Sequence, residues 1–251
     1  MINSLTKQFC MTVLSVLLFC SIANSATYDF LEKEEQPKAL QFQNIFPQQQ
    51  EAENQKKEYL TTLAMIRNNK LIEAENKITK LIQNNPKEPE FYNLKALLEV
   101  FKKKPKLAIK HYQKAIELDP KNYDAHLATT KLLIDSNDLD RAKQYANKTI
   151  LIDDKSIYAY YLSAEIARLQ NKPKEIGNLL STAKNKSKGN FKNQINLVVN
   201  FGKLYELQNQ PNKVLSMAHN LVNQYPNENS ALSLLSGAQM LNKQIKAAEE
   251  T

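Results

Sequence analysis

Three histidines, His111, His126 and His219, are the side chains best suited to bind a metal or move a proton near neutral pH. They stand singly and far apart, and no HExxH, paired-histidine or cysteine spacing accompanies them, so no metal site is expected. His111 precedes Tyr112 in a helical pattern at a half-buried or solvent-facing place, and His126 occupies a helix-packing position. None of the serines lies in GxSxG, and no glycine-rich phosphate loop is present in a chain with only 4 Gly. Glu32, Glu34 and Glu35 are close carboxylates, but they fall in a stretch without periodicity, where nothing would hold them at a catalytic separation. Both cysteines, Cys10 and Cys20, lie in the apolar segment at the start of the chain. The sequence thus predicts no catalytic residue, no cofactor and no metal, and the chain reads as a non-enzyme.

The elements that carry the remaining residues begin after a distinct leader. A short polar stretch with Lys7 precedes the apolar run FCMTVLSVLLFCSIA, and Ala23-Asn24-Ser25 follows with small residues where a signal peptidase reads. Residues 1–25 therefore read as a secretory signal cleaved near Ser25–Ala26, which predicts a periplasmic or secreted protein with no stable membrane span after cleavage. A retained anchor would need about 20 apolar residues, more than Phe9 to Ala23 supplies. Acylation of Cys20 would require a small residue where Phe19 stands. Cleavage removes both cysteines, leaving no disulfide and no thiolate chemistry.

The chain has 251 residues, 42% hydrophobic and 24% charged, with a net charge of +8 that falls to +7 without Lys7. Positive charges alternate with acidic ones, as in KKEYLTTLAMIRNNKLIEAENK, so they describe a solvated helix surface. No basic arm or stripe is present, and no nucleic-acid partner is expected.

A step of 34 residues relates AENKITKLIQNNP to AIKHYQKAIELDP, taking Ala74 to Ala108 and Pro86 to Pro120. The same step reaches Ala142 and Ile176, a step of 38 reaches Val214, and another of 34 reaches Ala248. Each unit divides in two: PEFYNLKALLEVFKK places Phe91, Leu94, Leu98 and Phe101 at helical spacing, Lys104-Pro105 interrupts it, and LAIKHYQKAIEL puts Ala108, Tyr112 and Ala115 on one face. The polar stretch KNKSKGNFKN, 184–193, is read as a surface loop that absorbs the longer step.

These units resemble tetratricopeptide repeats, whose unit is 34 residues in two antiparallel helices with a closing proline. Tyr92, Ala96, Ala108, Tyr112, Ala115 and Pro120 carry the likeness in the clearest unit. The resemblance implies an all-α fold, a right-handed solenoid of antiparallel helix pairs with about five and a half repeats. The units lie near 55–88, 89–122, 123–156, 157–190, 195–228 and 229–251, so that 55–251 forms the solenoid and 26–54 a flexible lead. The matched residues are those that pack, so they specify the fold and leave the function open.

In this family the first helices line the concave face. The resemblance therefore places a partner-binding groove at Tyr59 and Leu63, at Asn93, Leu97 and Phe101, at Leu127 and Lys131, at Tyr158, Tyr161, Glu165 and Arg168, and at Lys203. Chaperone-binding members use a lysine and asparagine clamp; with Tyr59, Leu63 and Asn93 at the matching places, that clamp is largely absent. The mixture suits an extended peptide or a partner helix, held by apolar anchors and placed in register by charge. The expected function is a non-catalytic scaffold or adaptor of the cell envelope with a protein or peptide partner. The alternative is a factor that holds an acidic polysaccharide for an envelope glycan system.

Overall fold

The computed structural model describes residues 48–242. The leader, residues 26–47 of the lead, and the start of a second helix in the sixth unit lie outside the described residues. Eleven helices and no strand occupy the described chain: α1 Gln48–Arg67, α2 Leu71–Asn84, α3 Pro89–Phe101, α4 Pro105–Leu118, α5 Tyr123–Asp135, α6 Leu139–Ile152, α7 Ile157–Leu169, α8 Pro173–Lys186, α9 Phe191–Leu207, α10 Pro211–Gln224 and α11 Asn229–Leu241. Helix α1 begins at Gln48, inside the stretch read as a lead. QQQEAENQKKEYL is rich in good helix formers and contains neither Gly nor Pro, so the helix continues toward its amino end.

The turn inside each pair has one form throughout. Asn69, Lys103, Asn137, Asn171 and Asn209 are left-handed, with φ between 56° and 59°. The N–H one residue later donates to a carbonyl five residues back: Lys70 to Met65 at 2.9 Å, Lys104 to Glu99 at 2.8 Å, Asp138 to Leu133 at 2.9 Å, Lys172 to Ala167 at 2.8 Å and Gln210 to Tyr205 at 2.8 Å. This is the Schellman closure, and asparagine is the non-glycine residue that adopts αL most readily. Proline then opens α4, α8 and α10, where its missing N–H costs nothing. Asn122, Asp138 and Asn190 cap the following helices by accepting from the N–H groups of Ala125, Arg141 and Asn193.

The described residues form two compact units. One holds α1 to α6 with Ile166–Lys172; the other holds Lys155–Glu165 with α8 to α11. In the first unit, Ile66, Ala74, Ile78, Phe91, Leu94 and Leu98 form one cluster, Ala96, Ala108, Tyr112, Ala115 and Ala125 the next, and Leu133, Ala142, Ala146 and Ile166 a third. Each cluster draws on at least three helices, so a pair completes its core only with its neighbour. Ala74, Ala108 and Ala142 are all 0% exposed: the absence of side-chain bulk lets the helices approach closely at equivalent places. In the second unit α9 packs on α10 and α10 on α11, burying Phe201, Leu204, Val214, Ala218, Leu221 and Ala231.

The longer step is not absorbed by a loop. The connections 85–88, 119–122, 153–156, 187–190 and 225–228 are equally long, whereas α9 has 17 residues and α3, α5, α7 and α11 have 13 each. Four added residues are close to one helical turn, so α9 lengthens without rotating its apolar face. The added turn has its own packing: Phe191 meets Tyr225 at 4.7 Å between ring centroids, and Gln194 donates to the Tyr225 hydroxyl at 3.2 Å. Lys184 and Lys186 belong to the last turn of α8.

Candidate functional site: the first-helix face

Helix α3 places Glu90, Asn93, Leu97 and Phe101 along one stripe at steps of three and four. Corresponding stripes run through Tyr59 and Leu63 on α1 and through Asp124, Leu127 and Lys131 on α5. The structure divides the expected groove residues by burial. Tyr59, Leu63 and Leu97 are half-buried and pack against the first core cluster. Leu127 is buried. Phe101 is 37% exposed, and Lys131 is exposed with its ammonium 3.5 Å from Asp135, a surface pair that contributes roughly 0.3–0.5 kcal/mol. In the second unit the rings of Tyr158 and Tyr161 stack at 5.8 Å with Tyr161 buried, and Glu165 and Lys203 are half-buried. Arg168, at the end of α7, is half-buried.

The most developed polar arrangement on these stripes surrounds Asn93, which is 6% exposed. Its amide nitrogen donates to Glu90 Oε2 at 3.1 Å and to Asn122 Oδ1 at 3.1 Å. The Asn122 amide donates to Glu90 Oε1 at 3.3 Å, while its oxygen accepts from the Ala125 N–H at 3.0 Å. With two acceptors facing one end of the Asn93 amide, that end must be the nitrogen. Asn93 Oδ1 is then left buried and without a partner.

Glu90 receives two neutral donors, and its carboxylate forms no ion pair with a described residue. Burial pushes its carboxyl up to about 7; the bond from Asn93 opposes that shift, and the negative charges of Asp124, Glu88 and Asp119 add to it. The Tyr59 hydroxyl is raised by burial first, then by Glu90 and Asp124, which places these groups in one another's field. Such a cluster accepts hydrogen bonds and attracts positive charge. Sequence reasoning named Tyr59, Asn93 and Leu127 on these stripes and did not name Glu90, although the helical step of three back from Asn93 along the stripe leads to it.

His111 and His126 are placed as expected. His126 is buried with Nε2 3.1 Å from the Pro120 carbonyl, His111 is half-buried, His219 is exposed, and burial lowers the pKa of the first two. Among the described residues no three His, Cys, Asp or Glu side chains converge to hold a metal ion.

Residues 102–166 match the sequence model of the tetratricopeptide repeat. The fold is that of tetratricopeptide repeats. Solved structures extend the likeness beyond that stretch. The pilF protein of Pseudomonas aeruginosa is 15% identical over 79% of this chain and 88% of its own, with a TM-score of 0.57. A tetratricopeptide repeat protein from Parabacteroides merdae is 14% identical over 93% of both chains at 0.55. A thermophilic repeat protein of Thermus thermophilus is 10% identical over 78% of this chain and 99% of its own at 0.51. No curated protein sequence matches significantly. At such identities the likeness concerns the path of the tetratricopeptide backbone and not its ligands.

Proposed function

We propose that the chain is a non-catalytic scaffold or adaptor that holds a peptide or partner helix against its first-helix face, and that it works in the cell envelope after export. The observation that carries the binding mode is the stripe on α3. It combines Glu90 and Asn93 with the half-buried Leu97 and the partly exposed Phe101, and Lys131 lies on the corresponding stripe of α5. Apolar groups half open to solvent supply binding energy, and fixed charges beside them set register. The tetratricopeptide fold supports this reading, since stacked helix pairs leave one helix of each pair to form an extended surface. Among the described residues no helix is long and apolar enough to cross a membrane.

Panning random phage-displayed peptides on the purified protein tests the binding mode. Enrichment of an apolar motif by the wild type, lost in Phe101→Ala with Lys131→Glu while far-ultraviolet circular dichroism is unchanged, is the expected result. Both residues are solvent-accessible, so the pair removes contacts without opening the core. Tyr161 is buried and would report on packing instead. Equal enrichment by wild type and variant would move the binding site elsewhere. Export is tested by fusing residues 1–30 to alkaline phosphatase lacking its own signal; an inactive fusion would place the protein elsewhere.

A further inference from the structure

We propose that the first-helix face around Glu90 binds a lysine side chain of an extended partner peptide, its ammonium pairing with the Glu90 carboxylate beside the unbonded oxygen of Asn93. The proposal rests on the scaffold reading above and specifies what that face selects.

Three observations carry it. Glu90 is a half-buried carboxylate whose two hydrogen bonds come from neutral amides and which forms no ion pair with a described residue. Withholding a carboxylate from water without a cation is unfavourable, and an incoming cation removes that cost. Asn93 Oδ1 is a second unmet acceptor, one amide width from the nitrogen that bonds Glu90, and the two acceptors at Asn93 Nδ2 prevent the amide from flipping to relieve it. Capping α5 does not account for the arrangement. The next first helix is capped by Ser156, whose hydroxyl accepts from the Ala159 N–H at 3.3 Å, with Leu127 at the place of Asn93.

The chemistry of the site selects among cations. A metal ion would need several anionic ligands, and no three acidic, histidine or cysteine side chains converge here. A guanidinium carries five donors in a rigid fork, more than one carboxylate edge and one amide oxygen can satisfy. An ammonium has three donors on a compact centre, matched to the free lone pairs of Glu90 and to Asn93 Oδ1. Leu97 and Phe101, further along the stripe, provide apolar surface for the residues that follow the lysine.

Positional-scanning peptide libraries on the full chain test the proposal, with lysine, arginine, norleucine or Nε-acetyllysine fixed at each position in turn. Wild type is expected to favour lysine over norleucine and acetyllysine at one position by about tenfold. Glu90→Gln, which keeps the shape and one acceptor, is expected to reduce that preference to about twofold or less. Since Glu90 titrates near 7 among Tyr59, Glu88, Asp119 and Asp124, the wild-type preference is expected to fade on acidification, and that of Glu90→Gln to stay flat. Apolar enrichment without a lysine preference, an equal preference in Glu90→Gln, or a stronger preference for arginine overturns the lysine site and leaves the scaffold reading standing. Absence of any enrichment overturns both. A loss of melting temperature in Glu90→Gln with unchanged peptide selection would assign Glu90 to structure alone and also overturn the site.

Discussion

At the scale of single residues, backbone and charge each leave a measurable trace. Lys103 occupies the left-handed place that Asn69, Asn137, Asn171 and Asn209 fill in the other pairs. A lysine Cβ is disfavoured there, whereas an asparagine side chain can bond its own backbone. Lys103→Asn is expected to raise stability by about 0.5–1 kcal/mol, read from urea unfolding; no gain would mean the turn is strained equally by either residue. Glu90 makes stability depend on pH. Its folded pKa, about 7, lies above the ordinary 4.5, so its stabilising contribution is complete below 4.5 and is lost as pH rises through 7. The melting temperature of Glu90→Gln should therefore gain on that of the wild type between about pH 5 and about pH 8; Glu88, Asp119 and Asp124 are common to both proteins. His126, lowered by burial, acts with the opposite sign, losing stability as pH falls through the ordinary histidine range. Asn93 was legible as a face residue because its place in the repeat is fixed by sequence. Its unmet oxygen was not, since it depends on Asn122, 29 residues on at the far end of the same unit.

At the scale of helices, periodicity and punctuation were readable and the energetic role of each turn was not. Lys104-Pro105 marked a break, which became a Schellman turn followed by a proline-opened helix. The step of 38 was legible as four added residues, but their place was not. The polar composition of KNKSKGNFKN suggested a loop, whereas Phe191 and Gln194 had a partner in Tyr225, and that tertiary contact draws the residues into α9. Small residues in the inter-helix seam give a direct test. Ala108 is fully enclosed beside Tyr112, Ala115 and Ala125, so a larger side chain must push α4 away from its neighbours. Ala108→Leu is expected to cost about 1–3 kcal/mol in chemical unfolding, while Leu at the exposed Lys110 should be nearly neutral. If both substitutions proved neutral, the close approach at Ala108 would not be what packs these helices.

At the scale of the molecule, the class of fold followed from matched residues that are almost all packing residues, and for the same reason the ligand did not. Each of the three core clusters of the first unit is closed by neighbouring helices, and in the second unit α9, α10 and α11 pack in chain order. Stability in such a chain is a sum of local terms, so damage should spread only to adjacent helices. Phe91 is 1% exposed and belongs to the first cluster together with Ile78 and Leu94. Phe91→Ala removes that ring and is expected to lower amide-exchange protection in α1 to α4 by about 3–5 kcal/mol, or down to the local opening limit. Protection in α10 and α11, where Val214, Ala218 and Leu221 form a separate buried set, should change little. Hydrogen exchange resolved by peptide distinguishes the outcomes, because an equal loss in α10 and α11 would require the two units to unfold as one cooperative body.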